Sequence, residues 1–419
     1  MDIGTIKGIF DVLRKYDIFI IGNGKHFKNI TYPFLCKSGL LDRVCGFLEL
    51  DKTSKSSSND EIVIKQRAFK TYSKADFVDN PSNKKLILLA VTGYKEILGQ
   101  LQRDNNLPRR IQVTQGIQVT QGIQATQGIQ VAQGIQATQG IQAAQVIQAT
   151  QKNQAIKAIP SIYLESLYDD YLMLDVAKPP KNFRKHAQKQ IPGTIHTFWF
   201  SGEAIPQAYE RCRKSWEKFA LDMEVKVWTL ENYKADGCRY FQEAIERGKW
   251  AFAADYARAD VLRRYGGVYM DMDVEMLGPI EDLLYNDAYM SFESLDRIEA
   301  GSGIGTKPGN KILDEICKSY ESRGFVKADG SLDMSTCPVQ YTKVIEKHGL
   351  VKNGGFQMVD DMTIYPFEVL TGKSFDTGLI YRTDLSLTTH HHHGSWVPDR
   401  AKDAMDERYK EIEDFLRGV

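Results

Sequence analysis

Asp255-Tyr256-Ala257-Arg258-Ala259-Asp260-Val261-Leu262-Arg263-Arg264-Tyr265-Gly266-Gly267-Val268-Tyr269-Met270-Asp271-Met272-Asp273-Val274-Glu275 reads as a helix, a glycine stop and a strand whose end carries two carboxylates. From Val268 the residues alternate with period two. Val268, Met270, Met272 and Val274 then share one face, and Tyr269, Asp271, Asp273 and Glu275 share the other. Asp271 and Asp273 are expected to point the same way, one pleat repeat apart. Hard oxygen ligands so placed suit Mg²⁺ or Mn²⁺ shared with the phosphates of a nucleotide. A bare Asp-x-Asp is equally a solvated strand end, but the apolar run from Val268 to Met272 argues for a cleft.

On the helix before the glycines, Asp255 and Arg258 lie three residues apart and therefore on one face. They are either a surface ion pair or, given the small neighbours Ala251, Ala253, Ala254, Ala257 and Ala259, polar anchors brought close to a ligand. Further upstream, Ile191 to Phe200 reads as a strand led in by Pro192, Pro206 to Phe219 as a helix, and Glu224 to Trp228 as the next strand. Trp199 at the strand end can stack on a nucleotide base or pack in the core, and His196 is open to the same two readings. Downstream, Gly301 to Gly309 reads as a flexible loop, and Glu293, Asp360 and Asp361 are acids whose spacing fixes no role.

The ordered motifs Ile195-His196-x-x-Trp199, Ser215-Trp216, Val227-Trp228, Asp255-Tyr256-Ala257-Arg258, Gly266-Gly267-Val268-Tyr269-x-Asp271-x-Asp273-Val274 and Gly394-Ser395-Trp396 resemble the DXD-containing sugar transferases of glycosyltransferase family 32. The resemblance runs from roughly residue 190 to 400. It implies an α/β nucleotide-sugar-binding domain of the GT-A type, a nucleotide-sugar donor and retention of anomeric configuration. Carried onto this chain, Asp273 is expected to hold the cation directly and Asp271 partly through the donor ribose or water. Asp255 and Arg258 are expected to contact the donor sugar hydroxyls, with Trp199, His196 and Tyr269 beside the nucleotide. The segment His390-His391-His392-His393-Gly394-Ser395-Trp396 departs from the family's His-His-Trp-Ala-Gly-Ser-Trp at His392 and His393. Imidazole binds Mn²⁺ or Zn²⁺ readily, so His393 is expected as a third metal ligand, with the choice among the four histidines left open. Ser395 and Trp396 are expected to close over the diphosphate.

The expected reaction is hexosyl transfer from a UDP-sugar to a glycan or lipid-linked glycan in surface or capsular polysaccharide synthesis. It would proceed through an acid nucleophile or front-side attack guided by the leaving phosphate. Two rivals come from other classes. A haloacid dehalogenase-type phosphatase also ends a strand on Asp-x-Asp, but its motif continues with threonine or valine where Glu275 stands. A non-catalytic sugar-nucleotide-binding scaffold leaves the full polar set without a purpose.

The first hundred or so residues alternate strand and helix signals. Asp17 to Ile21, Val44 to Asp51 and Lys85 to Val91 read as strands, giving a small Rossmann-like module. Its turn Gly22-Asn23-Gly24-Lys25-His26-Phe27 has phenylalanine where a dinucleotide fingerprint has its third glycine. The module resembles nucleotide-binding-like domains that precede sugar-modifying enzymes in bacterial polysaccharide clusters. From Ile111 to Gln151 a hexad, Ile-Gln-Val/Ala-Thr/Ala-Gln-Gly, recurs. Six residues advance a helix by about 600°, so the isoleucines form no stripe, and a Gln/Gly-rich spacer is expected over a short β-solenoid or helix. The expected division is a Rossmann-like domain over 1–108, a linker over 109–155 and the GT-A domain over 156–419.

Lys plus Arg equals Asp plus Glu at 54 each, so no global field draws the chain to nucleic acid or an acidic membrane. The six cysteines are scattered, without a zinc-type or disulfide-type spacing, and read as reduced thiols. No basic-then-apolar leader and no run of about 18 apolar residues is present, so a cytoplasmic protein reaching its acceptor at the inner face of the membrane is expected.

Overall fold

The computed structural model describes residues 8–11, 13–49, 61–73, 77, 85–90, 111–113, 156–235, 237–394, 397 and 399–417. The chain forms two compact α/β units, residues 2–171 with 405–419, and residues 172–404.

In the first unit, β1 (Asp17–Ile21), β2 (Val44–Glu49), β3 (Glu61–Ile64), β4 (Arg67–Ser73), β5 (Lys85–Leu89), β6 (Ile111–Val113) and β7 (Ile156–Pro160) form one sheet in the order β3-β4-β2-β1-β5-β7-β6. Every pairing is parallel except that of β3 with β4. The central strand β1 is apolar on both faces, and Ile18, Phe19 and Ile20 are fully buried, as a parallel strand covered on two sides requires. Gly22 leaves β1 at φ 99°, a conformation that favours glycine. Phe27, at the fingerprint's third-glycine position, is instead a core residue set edge-on to Phe47 at 5.0 Å. The turn's sequence therefore serves packing.

Residues 114–155, which hold nearly all of the hexads, lie outside the described residues. Past them the chain returns to this first sheet. β7 pairs with β5, and the helix α2 (Ser161–Leu174; α1 is Tyr32–Lys37) follows directly. Arg408 Nη2, on the C-terminal helix, donates to Ser166 Oγ at 2.6 Å. The break thus falls at residues 171/172 rather than at 156. A five-residue strand pairing with a partner some seventy residues earlier leaves no local signal.

In the second unit, β8 (Thr194–Phe198), β9 (Glu224–Trp228), β10 (Gly267–Tyr269), β12 (Ala288–Phe292), β13 (Ile298–Glu299), β14 (Ile304–Thr306), β15 (Gln357–Val359) and β16 (Met362–Tyr365) form a mixed sheet. Its order is β15-β16-β12-β14-β10-β8-β9, with β13 on β12. A separate ladder pairs β11 (Val274–Met276) with β17 (Thr388–His390). The helix α5 (Trp250–Tyr265, after α3, Glu210–Phe219, and α4, Arg239–Glu246) is buried along most of its length. Its alanines let it lie close to its neighbours, and Ala253, Ala257 and Ala259 are fully enclosed.

Gly266 (φ 66°) ends that helix and Gly267 (φ 99°) opens β10. A β-carbon on Gly267 would stand 2.6 Å from the Thr194 carbonyl oxygen and 2.8 Å from His196 Nε2, so only glycine lets β10 lie against β8 here.

Two expectations are corrected. The alternating run from Val268 is not one strand: β10 stops at Tyr269, and β11 starts at Val274 in the other ladder. Between them the Val274 amide donates to the Asp271 carbonyl at 3.1 Å, closing a turn that carries both aspartates. The apolar face survives the break, because Val268, Met270, Met272 and Val274 all pack in one buried cluster. Ser215 and Trp216 of α3 hold the far side, with Trp216 Nε1 donating to the Val274 carbonyl and Ser215 Oγ accepting from the Met276 amide, each at 2.8 Å. The glycine-rich stretch 301–309, expected as a flexible loop, contains the buried strand β14. Its glycine 305 lies under the Tyr289 ring, where a β-carbon would come within 2.0 Å.

Candidate active site

The turn bearing Asp271 and Asp273 opens into a cavity of about 320 Å³ in the second unit. Trp199, Asp255, Arg258, Tyr269, Asp271, Asp273 and His393, all expected at the site, line it together. Phe198, Phe200, Tyr209, Trp250 and Phe375 add aromatic surface to its walls. Trp199 is fixed by donating its indole N–H to the Glu203 carbonyl at 2.6 Å and by an edge contact to Tyr209 at 5.8 Å. Ser395 and Trp396 lie outside the described residues.

Arg258 organises the floor. It is only 4 % exposed, and its guanidinium donates to Asp255 Oδ1 at 3.1 Å and to the Ala300 carbonyl at 2.8 Å. It also stands 3.7 Å from Asp271 Oδ1 and lies over the Tyr269 ring at 4.6 Å. The Tyr269 hydroxyl donates to that same Asp271 oxygen. Asp255 and Arg258 are therefore a buried pair, not a surface one. Burial pushes the Asp255 carboxyl up to about 6, against the pull of Arg258.

Asp273 faces the histidines. Its Oδ1 is 3.2 Å from His390 Nε2, and its Oδ2 accepts the His393 backbone amide at 2.8 Å. Burial acts to raise this carboxyl, but the His390 ring and the amide outweigh it and hold it well below the usual range. His390 is itself enclosed; burial disfavours its charge, yet Asp273 and Glu299 prevail and raise it well above the ordinary imidazole value. Glu299, 4 % exposed, has Oε1 at 3.3 Å from His390 Nδ1. Beside it Glu293 lines the cavity, pushed up to about 8 by burial and by the Glu299 carboxylate.

Whether these residues suit a divalent cation is answered by the donor set. One ligand atom each from Asp271, Asp273 and His390 converges within 4.8 Å, an oxygen-rich group with one imidazole that fits Mn²⁺ or Mg²⁺. Of the four histidines among which the choice was open, the structure brings His390, rather than the expected His393, into this group. Strand β17 pairs with β11 in a register that sets His390 opposite Val274, next to the aspartates. His393 lies past the strand end and offers Asp273 its amide, although its buried Nδ1 has no hydrogen-bond partner among the described residues and is 3.7 Å from Asp273 Oδ2. Of the other histidines, His391 contacts Glu275 at 3.0 Å and His392 the Lys373 carbonyl at 3.1 Å. Sequence reasoning missed Glu299 altogether. Its strand, β13, is two residues long and carries no periodic signal that could have pointed to it.

His196 is not at the cavity. Its Nδ1 accepts the Trp228 indole N–H at 3.1 Å, so its Nε2 carries the proton and donates to the Gly266 carbonyl at 2.9 Å. Trp228 and His196 thus form one buried hydrogen-bonded unit. Burial lowers this histidine to about 4. Below pH 6.5 the unfolded chain binds a proton at this residue that the folded chain refuses until about pH 4. Stability is therefore expected to fall as pH drops through that window, by up to about 3 kcal/mol from this group. Urea unfolding at pH 7 and pH 4.5 should show a smaller difference for His196→Asn than for the unaltered chain; equal differences would refute it. Asp360 and Asp361 are also away from the cavity, bound to His348 at 2.6 Å and Asn310 at 3.1 Å.

A mixed α/β unit with a metal-compatible acidic turn beside a buried Asp–Arg pair is the class the geometry defines. Comparison with known proteins gives it relatives. Residues 141–304 match the family model described as capsular polysaccharide synthesis protein. An uncharacterized glycosyltransferase of Acanthamoeba polyphaga mimivirus is 21% identical over 222 residues, 50% of this chain and 84% of that protein. Inositol phosphoceramide mannosyltransferase 3 of Schizosaccharomyces pombe is 27% identical over 139 residues, 32% of this chain. The chain spans 38% of the length of that yeast enzyme. Among solved structures, the PaToxG glycosyltransferase is matched at a TM-score of 0.32 and 14% identity, over 50% of this chain and 79% of that one. The sequence matches relate the chain to glycosyltransferases.

Proposed function

We propose that this chain is a divalent-cation-dependent, retaining glycosyltransferase of the GT-A type that moves a hexose from a UDP-sugar to a glycan or lipid-linked glycan acceptor in surface polysaccharide synthesis. The observation that carries the reading is the convergence of Asp271, Asp273 and His390 in the same cavity as Trp199 and the Asp255–Arg258 pair. Glycosyltransferase relatives support the reaction class.

Mn²⁺ or Mg²⁺, when bound by Asp271, Asp273 and His390, supplies the positive charge that stabilises a departing nucleoside diphosphate. The chain's own residues do the rest. Trp199 offers an aromatic face to the base. Arg258 and Asp255 present a donor and an acceptor for sugar hydroxyls, and their burial keeps them oriented before the donor arrives. Tyr269 and the Ala300 carbonyl hold Asp271 and Arg258 in place. The aromatic side chains in the wall would give the reacting centre an apolar surround, which favours transfer over hydrolysis. Action from the cytoplasmic side accords with the thiol composition, and among the described residues no helix is long and apolar enough to cross a membrane.

The test is purified protein with Mn²⁺ and a panel of nucleotide sugars, read by calorimetry and donor hydrolysis. Selective, metal-dependent turnover of one UDP-sugar is the expected result, and inertness toward the whole panel would refute the reading. Within that assay Trp199→Ala should weaken UDP binding roughly tenfold, the loss of one stacked base. Unchanged UDP affinity would place Trp199 in a purely structural role.

A further inference from the structure

We propose that Glu299 is the positioning residue of the cation site, acting through His390 as the carboxylate of a carboxylate–histidine–metal relay. The inference rests on the cation reading above. His390 presents its two nitrogens to different partners: Nε2 stands 3.2 Å from Asp273 Oδ1, while Nδ1 stands 3.3 Å from Glu299 Oε1. Nδ1 is buried and has no hydrogen-bond partner among the described residues, so Glu299, 3.3 Å away, is the group on hand to receive its proton. An imidazole that ligates a cation through one nitrogen must carry its proton on the other, and a carboxylate there fixes the tautomer and raises ligand basicity.

Glu299 is itself held rigidly. Its Oε1 accepts the amides of Gly301 at 2.5 Å and Ser302 at 3.1 Å, and the side chain is 4 % exposed. Two neighbours of Glu299 reach the rest of the site through their backbone: the Ala300 carbonyl accepts from Arg258 and the Gly301 carbonyl accepts the Asp271 amide at 2.9 Å. One short segment thereby sets the position of Arg258, Asp271 and His390 together. A carboxylate bonded to its own backbone amides has a structural use already; what marks it as more is that the same oxygen faces the buried Nδ1 of His390, which has no hydrogen-bond partner among the described residues.

The experiment titrates the full-length protein with Mn²⁺ alone, counting free ion by electron paramagnetic resonance, for the unaltered chain and for Glu299→Gln, His390→Ala and the double variant. Glu299→Gln keeps an oxygen for the two amides, so its unfolding midpoint should stay near that of the unaltered chain while Mn²⁺ affinity falls roughly tenfold to 100-fold. If Glu299 works through the ring, adding Glu299→Gln to His390→Ala should cost no further affinity. Undiminished affinity in Glu299→Gln would overturn the relay, as would an additional loss in the double variant, which would make Glu299 a direct ligand. Failure of the unaltered chain to bind Mn²⁺ would instead overturn the cation reading on which the relay stands.

Discussion

Asp273→Asn is expected to abolish Mn²⁺-dependent nucleotide binding, lowering affinity by at least roughly 100-fold, the upper end of what even an outer-shell partner contributes at a metal site. The substitution is nearly isosteric, so the turn between β10 and β11 should persist. What disappears is the charge. Hard divalent cations bind through anionic oxygen, and an amide oxygen is a much weaker ligand in a site of only two aspartates. Asp273 is also the group whose Oδ1 faces His390, so its neutralisation removes the electrostatic link between the two halves of the donor set. Calorimetry with UDP, with and without Mn²⁺, measures the effect. Retention of metal-dependent binding by the variant would show that these aspartates do not seat a cation.

Gly301→Ala is the second large effect, and a selective one. Gly301 has a backbone that any residue can adopt, yet a β-carbon there would stand 2.1 Å from Asp271 Oδ2 and 2.9 Å from His390 Cε1. Both are ends of side chains, not backbone, so the fold can yield while the site cannot. Asp271 would have to move by more than an ångström, and displacements on that scale at a reacting centre cost on the order of 100-fold in rate. Donor hydrolysis should fall by about that factor while circular dichroism and the thermal midpoint stay close to those of the parent. Wild-type turnover in this variant would show that the acidic turn tolerates another geometry.

Much of the site was legible because it is local. The helix, the glycine stop and the two aspartates lie within twenty-one consecutive residues, and helical periodicity alone places Asp255 with Arg258. Strands β1, β8 and β9 and the burial of Val268, Met270, Met272 and Val274 follow from the same pattern. The illegible parts depend on distant partners. Nothing near Tyr269 announces that the strand ends there, because the residue that captures β11 is on β17, beyond residue 387. That register also decides which of four adjacent histidines meets Asp273. His196 looked like a site residue for want of its partner, Trp228, thirty-two positions later, and β7 looked like the start of the second domain for want of β5.

The ladder of β11 with β17 has a kinetic corollary. It joins segments more than a hundred positions apart, and closing so wide an arc comes late for entropic reasons. The acidic turn can form as soon as β10 docks, but its imidazole arrives only with the last strand. A nascent or nicked chain ending before residue 388 should therefore hold the acidic turn and most of the aromatic wall but lack the histidine of the proposed cation group, which would tie competence to the completion of folding rather than to the formation of the main sheet.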